Sequence, residues 1–285
     1  MTYILPFLRD LIGLPRYRQA LKKAARPWQS QLEFFDFAPA YPNLLGWSKR
    51  RQLLRLLPRD RATPVGWTIY LHGGAWTFGK PHDFLAAAQP WIEAGFGVLL
   101  PTYRRLPRYT GSDMLEDLQM VLSFVRNQGW LTSQQEVQLA GMSSGGHLAA
   151  LMALSPQIWQ QSGWPTPTKV ICCGAPLDLD QFPQNAAIKR LRGPIEAANF
   201  QATNPHFLLK EAKELPRFLI IHPTREGMAP AEQAAGFYRS LKEKSPDSSI
   251  LWLENKGHLS AGRWMFEEGE VRETIRQFIT ERSAD

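Results

Sequence analysis

Apolar runs and amphipathic segments alternate along most of the chain, and this alternation predicts its fold. Six short apolar runs predict buried strands at residues 67–71, 97–100, 137–140, 168–173, 217–222 and 249–253. Apolar residues at helical spacing predict helices at 84–94, 112–126, 230–243 and 268–282. A chain that alternates strand and helix in this way forms an α/β fold, with a mostly parallel central sheet and helices on both faces.

Residues 180–213 interrupt this alternation. The segment is mixed in charge, carries scattered prolines and aromatic residues such as Phe182 and Phe200, and shows little strand pattern. Ligands of α/β proteins bind at the carboxyl ends of the strands, where an insertion at this point would lie. We therefore expect a small cap insertion at about 180–213.

The N-terminal quarter of the chain is basic, whereas the rest is nearly neutral. Residues 1–65 contain 12 Lys or Arg and 4 Asp or Glu. Residues 16–28 predict a basic helix, and 49–61 form a second basic stretch interleaved with leucines. One interpretation is contact with an anionic membrane surface or an acidic partner. We favour the other, in which the leucines cover an edge of the main domain. This predicts a basic segment, 1–62, packing on or beside the core, and a main domain, 63–285.

Composition narrows the class of protein further. The chain has 285 residues, of which 44% are hydrophobic and 21% charged, as is ordinary for a globular protein. Its two cysteines, Cys172 and Cys173, are adjacent in an apolar run, which favours buried thiols in a reducing, cytoplasmic compartment. No apolar run is long enough to span a membrane. The neutral main domain gives no indication of nucleic-acid binding.

The strongest motif is Gly141-Met142-Ser143-Ser144-Gly145, between a predicted strand and a predicted helix. A turn this sharp holds the central serine in a strained conformation and leaves no room for side chains two positions away on either side. The alternative is a glycine-rich helix start with an N-cap serine. The motif predicts Ser143 as a nucleophile if an oxyanion loop precedes it and an acid and a histidine follow.

An oxyanion loop and the other two members of a triad are present in that order. The sequence His72-Gly73-Gly74-Ala75-Trp76 follows a strand, and two glycines there can point successive N–H groups into one concavity, although a plain glycine turn is the alternative. Glu226 and His258 each follow a later strand. A serine hydroxyl needs a histidine to take its proton and a carboxylate to orient that histidine. Asp178 and Asp180 are the alternative acids.

With these motifs the chain resembles the α/β-hydrolase superfamily, in its esterase/lipase branch of hormone-sensitive-lipase-like and kynurenine-formamidase-like carboxylesterases. The resemblance covers about residues 66–280. It implies that the oxyanion donors are the backbone N–H groups of Gly74, Ala75 and Ser144. The branch usually has Gly and Asp where this chain has Pro223 and Glu226.

We expect a serine hydrolase that cleaves carboxylic esters of small to medium acyl chain through an acyl-enzyme. Trp76 and Phe200 are the expected pocket residues, the substrate is a small-molecule ester, and no cofactor or metal is implied. The histidines His72, His147 and His222 are expected to be structural. The alternatives are an amidase or formamidase with the same triad, and a non-catalytic binding protein on a hydrolase fold. The oligomeric state is left open.

Overall fold

A central sheet organises the computed structural model, which describes residues 4–61, 63–132, 134–182, 184–197 and 200–281. Within these ranges the sheet has eight strands, which are β1 Glu33–Pro42, β2 Ser48–Leu56, β3 Gly66–Leu71, β4 Gly97–Pro101, β5 Glu136–Met142, β6 Lys169–Cys173, β7 Arg217–Pro223 and β8 Ser249–Leu253. Their order in the sheet is β1-β2-β4-β3-β5-β6-β7-β8. Strands β3 to β8 are mutually parallel, whereas β2 runs antiparallel to both of its neighbours, β1 and β4.

Nine α-helices and five 3-10 helices accompany the sheet in the described ranges. The α-helices are α1 Ile4–Ala25, α2 Gln89–Glu93, α3 Gly111–Asn127, α4 Ser144–Ala153, α5 Pro156–Ser162, α6 Ala186–Arg192, α7 Pro205–Glu211, α8 Ala231–Lys244 and α9 Glu270–Thr280. The 3-10 helices are Arg26–Gln31, Pro81–Ala88, Leu179–Gln181, Gln201–Thr203 and His258–Met265. Among these helices, none has the length and apolar character needed to cross a bilayer.

The central strands are buried on both faces, which explains why they appear in the sequence as continuous apolar runs. Successive side chains alternate between two cores. Leu139 and Cys172 lie in one core, whereas Ala140 and Cys173 lie in the other. The adjacent cysteines are thus buried free thiols on opposite faces of β6. The predicted α/β architecture, with a mostly parallel sheet between helices, is confirmed.

The N-terminal segment contributes strands to the sheet. Strand β2 pairs with β4, so part of the stretch at 49–61, expected on or beside the core, is a strand of the sheet itself. The expected division into a segment 1–62 and a main domain 63–285 stays a prediction. The arginines of β2 interrupt the apolar pattern but are paired, as Arg55 is with Glu33 at 2.8 Å. Helix α1 adds Tyr17 and Leu21 to the core. The favoured interpretation of 16–28, with apolar residues inward and charges outward, agrees with this packing.

Two further segments differ in detail from the expectation. The predicted helix at 84–94 is a 3-10 helix followed by the short α2; Pro90, within α2, has no N–H with which to continue a helical ladder. The insertion at 180–213 contains α6 and α7, which pack against α3, α4 and α8. Its function as a cap stays a prediction.

Candidate active site

Ser143 lies in the sharp turn between β5 and α4, at φ 55° and ψ −124°. Residues other than glycine rarely adopt this backbone conformation, so the surrounding structure must hold Ser143 in it. The Ser143 N–H donates to the carbonyl of Cys173 at 2.8 Å. A Cβ built on Gly145 would lie 2.0 Å from the Leu71 carbonyl oxygen. The motif glycines therefore let α4 begin directly against β3, with the half-buried serine at its start.

The glycine loop after β3 lies against this turn. A Cβ built on Gly73 would be 3.5 Å from Cβ of Ser143. Gly74, Ala75 and Trp76 all have positive φ, at 139°, 49° and 58°. Among the hydrogen bonds of the described residues, none is donated by the backbone N–H of Gly74, Ala75 or Ser144. These N–H groups are therefore available to an oxyanion.

A buried pair of rings supports the glycine loop. His72 stacks on Tyr103 with ring centroids 4.4 Å apart, and the Tyr103 hydroxyl donates to the His72 carbonyl at 2.7 Å. Burial, helped by the charge of Arg105, lowers the pKa of His72 to about 3, so this ring is neutral at physiological pH. The expectation that His72 is a structural residue is confirmed.

Glu226 and His258 form a buried pair at the carboxyl ends of β7 and β8. Oε2 of Glu226 lies 2.8 Å from Nδ1 of His258. Its other oxygen, Oε1, accepts the N–H groups of Met228 at 2.8 Å and Ala229 at 3.2 Å. Both residues are less than 5% exposed. This geometry orients the imidazole and directs its Nε2 away from the carboxylate.

The pair shifts the pKa of each partner in the direction that favours its charged form. Burial by itself would lower the pKa of His258, but the charge of Glu226 and its hydrogen bond, together with the charge of Asp10, raise it above the usual 6.5. Burial would likewise raise the pKa of Glu226, but the charge and hydrogen bond of His258 lower it below 4.5. The site therefore stabilises an imidazolium beside a carboxylate.

His258 and Ser143 lie at neighbouring points of one sheet edge. A Cβ built on Gly174 would lie 3.4 Å from the His258 ring, and Gly174 directly follows the residue whose carbonyl receives the Ser143 N–H. In the described part of the chain no hydrogen bond joins the Ser143 hydroxyl to His258. Such bonds are often long in unliganded enzymes and shorten when substrate binds.

A comparison with protein families identifies the chain. The profile of the BD-FAE family matches residues 56–241. The chain belongs to the BD-FAE family. The matched range begins at the end of β2, includes Ser143, the glycine loop and Glu226, and ends before His258. The expected resemblance to esterase-like α/β-hydrolases is confirmed.

Individual relatives of this BD-FAE protein are distant. The chain is 23% identical to the rice (Oryza sativa subsp. japonica) protein named Probable isoprenylcysteine alpha-carbonyl methylesterase ICMEL1, over 79% of this chain and 58% of that one. It is 26% identical to Esterase LipQ of Mycobacterium tuberculosis, over 71% and 51%. The chain thus spans about half the length of these curated relatives. The solved structure of Thermogutta terrifontis esterase 2 phosphonylated by sarin superposes with a TM-score of 0.69 at 20% identity, over 86% and 91%. The α/β-hydrolase fold is confirmed.

Asp178 and Asp180, the alternative acids, lie in a different network. Asp178 accepts from Nδ1 of His206 at 2.8 Å, and Nε2 of His206 lies 3.0 Å from the Ser240 hydroxyl. Asp180 pairs with Arg192 at 2.7 Å. In the ranges that the structure describes, neither aspartate is hydrogen-bonded to His258, which favours Glu226 as the acid, and the choice between them stays a prediction. Burial opposes ionisation of Asp178, but hydrogen bonds, with that from His206 the largest, hold its pKa well below the usual range.

Hydrogen bonds join Ser240, His206 and Asp178 in the order of a catalytic triad. This second group lacks the strained turn and the unused N–H donors that accompany Ser143. Ser240 lies inside α8, at helical backbone, where the N–H groups around it are used by the helix. Ser143 instead has a strained turn and unused donors beside it. The hydrogen bonds alone would favour Ser240, whereas the backbone around the two serines favours Ser143 as the nucleophile.

The two expected pocket residues make other contacts. Trp76 is 6% exposed, and its indole Nε1 donates to Nδ1 of His147 at 3.2 Å. The Arg192 guanidinium stacks over the ring of Phe200, with Cζ of Arg192 3.8 Å from the ring centroid. The ring of Trp76 is buried and its indole N–H is bonded to His147, which favours a structural role, and its place in a pocket stays a prediction. Phe200 contacts the insertion's own arginine, and its place in a pocket stays a prediction.

The remaining expectations concern histidines and metals. Nε2 of His147 contacts the Thr203 carbonyl at 2.9 Å, and Nε2 of His222 contacts the Ala229 carbonyl at 3.0 Å. Both rings are buried, so their expected structural role is confirmed. In the described ranges, no group of three or more His, Cys, Asp or Glu is arranged to hold a metal ion.

One residue near the site was missed from the sequence. Asp10, on α1, accepts the backbone N–H of His258 at 2.8 Å. The available signal was weak: Asp10 is the single acid between residues 1 and 32, in a helix that is otherwise basic. It lies seven residues before Tyr17, on the same helical face.

Proposed function

We propose that this BD-FAE protein is a serine hydrolase that cleaves carboxylic esters through an acyl-enzyme intermediate. The observation that carries the proposal is the 2.8 Å Glu226–His258 bond at the sheet edge where Ser143 occupies its strained turn. The unused N–H groups of Gly74, Ala75 and Ser144 support it. The relatives named above are esterases by name, and esterase 2 of Thermogutta terrifontis is described as phosphonylated by sarin.

The proposed reaction follows from the roles that the geometry permits. Nε2 of His258 takes the proton of the Ser143 hydroxyl while Oγ bonds to the acyl carbon, and the carbonyl oxygen becomes an oxyanion. The N–H groups of the glycine loop and of Ser144 stabilise that charge. The carbon–oxygen bond to the alcohol then breaks, and the alcohol leaves with the proton from His258.

Deacylation uses the same groups in reverse order. Water gives a proton to His258 and attacks the acyl carbon, and the acid is released as Ser143 regains its hydrogen. Glu226 keeps its proton-free form throughout and stabilises the imidazolium that appears in each half-reaction. Its contacts with Met228 and Ala229 hold it in place for this role.

The substrate that we propose is a small-molecule ester of small to medium acyl chain. The non-catalytic alternative is disfavoured by the Glu226–His258 pair, the strained turn at Ser143 and the unused N–H groups beside it, which together support a working site. The buried free thiols of Cys172 and Cys173 support a reducing compartment, for which we propose the cytoplasm.

Covalent labelling tests the proposal without knowledge of the natural substrate. Diisopropyl fluorophosphate should react once per folded chain, as Oγ of Ser143 bonds to phosphorus and fluoride leaves. Intact-mass and peptide mass spectrometry should place the adduct on Ser143. The Ser143→Ala variant should remain unlabelled, and Ser240→Ala should be labelled like the wild type. Labelling of Ser240, or equal labelling of native and urea-unfolded chains, would contradict the proposal.

A further inference from the structure

Helix α1 contacts both chain segments that carry the proposed catalytic residues. The Tyr17 hydroxyl donates to Sδ of Met142, the residue before Ser143, at 3.1 Å. Two turns earlier on the same face, a carboxylate oxygen of Asp10 accepts the backbone N–H of His258 at 2.8 Å. Tyr17 and Leu21 are buried and anchor the helix. A helix from the start of the chain therefore lies directly behind the active site.

Asp10 provides a hydrogen-bond acceptor for the backbone N–H of His258. His258 begins a 3-10 helix, whose first N–H groups have no partner within the helix. The preceding residue, Gly257, has no side chain that could accept from them. Asp10 supplies the acceptor from 248 residues away in the sequence. A Cβ on Gly257 would lie 2.7 and 2.8 Å from the two carboxylate oxygens, so the approach is as close as a glycine allows.

Asp10 also places a second negative charge near the imidazole. The carboxylate is 5% exposed, and burial raises its pKa, partly offset by the His258 N–H and the charge of His258. The ionisable groups that face His258 are Glu226, Asp10 and His222, and the Arg9 guanidinium lies beside Gly257. The charge of Asp10 acts on His258 in the same direction as that of Glu226.

We propose that Asp10 is a positioning residue for His258. Its hydrogen bond fixes the backbone from which the imidazole extends, and its charge stabilises the imidazolium that forms when Ser143 loses its proton. The inference rests on the proposed hydrolase function, since it assigns Asp10 a part in that reaction. It makes α1 a component of the catalytic machinery.

Two variants separate the hydrogen bond from the charge. Asp10→Asn keeps an oxygen that can accept the His258 N–H but removes the charge, whereas Asp10→Ala removes both. For Asp10→Asn we expect kcat on p-nitrophenyl butyrate at pH 9 to stay within about twofold of wild type, with the acid limb moved to lower pH. For Asp10→Ala we expect the same movement and a fall in kcat of about 10- to 100-fold with little change in KM. Asp36→Asn, on the surface, is the matched control for a lost carboxylate.

A direct titration keeps the inference separate from the proposed function. The imidazole of His258 is titrated by NMR in the full chain, with its signal assigned by its loss in His258→Asn. A lower midpoint in both Asp10 variants, with Asp36→Asn unchanged, supports the inference even if no tested ester is hydrolysed. An unchanged midpoint in Asp10→Asn would overturn it, as would a wild-type pH profile and kcat in Asp10→Ala. If Asp10→Ala does not fold, Asp10→Asn alone decides through the same titration.

Discussion

Oε2 of Glu226 is hydrogen-bonded to Nδ1 of His258 at 2.8 Å, while Oε1 of the same carboxylate accepts two backbone N–H groups of its own loop. The loop thus holds the carboxylate in place independently of His258. Glutamate is one methylene longer than aspartate, and the N–H groups of Met228 and Ala229 hold that longer side chain in one position. The resulting pair is buried, so its charges are weakly screened.

Glu226→Gln should lower the rate of ester hydrolysis and also lower the pKa of His258. Without the carboxylate we expect kcat for ester hydrolysis to fall by about 10⁴-fold, since the imidazole loses the partner that selects its tautomer. Neutral His258 is the active form, and Glu226 raises its pKa. The residual activity should therefore persist to lower pH than in the wild type. The measurement is kcat/KM against pH, and an acid limb that stays in place or moves upward would contradict the assigned role.

Gly145→Ala should prevent folding of the nucleophile turn. The new methyl group would lie 2.0 Å from the Leu71 carbonyl oxygen and 2.6 Å from that of His72, and backbone at the end of a central strand cannot retreat. The matched control is Gly236→Ala in α8, where the nearest atom is Nε2 at the end of the Gln181 side chain, 3.3 Å away. That variant should gain up to about 1 kcal/mol from helix propensity. Urea unfolding of both chains is the test, and equal stabilities would refute the packing described for the turn.

Leu21→Ala should show that α1 belongs to the core. Leu21 is 2% exposed, and loss of its side chain should lower the free energy of unfolding by about 2–5 kcal/mol. Ile12, on the outer side of the same helix, is 78% exposed, so Ile12→Ala should change stability by less than about 0.5 kcal/mol. Denaturant unfolding distinguishes the two. Similar small effects would mean that the helix is dispensable.

Trp76→Phe should affect stability rather than substrate choice. The variant leaves Nδ1 of His147 buried without its donor, which costs about 1–3 kcal/mol. Burial lowers the pKa of His147 to about 4, so the ring stays neutral and cannot compensate by protonation near pH 7. Trp47→Phe, at an exposed position, should be neutral. A changed ratio of octanoate to acetate hydrolysis in Trp76→Phe would contradict this expectation and support Trp76 as a pocket residue.

The sequence was sufficient to predict the central strands and the motif residues, because each depends on a local pattern. Strands β3 to β7 are buried on both faces and therefore appear as apolar runs. The strained turn at Ser143 requires glycines at fixed positions on either side. These features need no knowledge of distant contacts.

The remaining features depend on partners that are far apart in the sequence. Strand β2 looked like a basic stretch because Arg51 and Arg55 break its apolar run, and their partners Asp117 and Glu33 are found only in the fold. The hydrogen bond from Trp76 to His147 could not be predicted because it joins residues 71 positions apart. Asp10 showed only as an isolated acid, since its contact with His258 crosses 248.

The assignment of Ser143 as the nucleophile is tested most directly by comparing it with Ser240, since each serine lies near a histidine that is paired with a carboxylate. Hydrolysis of p-nitrophenyl butyrate is measured for the wild type, Ser143→Ala and Ser240→Ala, with folding checked by circular dichroism. We expect Ser143→Ala to lose activity by about 10⁴-fold or more and Ser240→Ala to stay within about twofold of the wild type. Activity that survives in Ser143→Ala, or disappears in a folded Ser240→Ala, would contradict the assignment of the nucleophile.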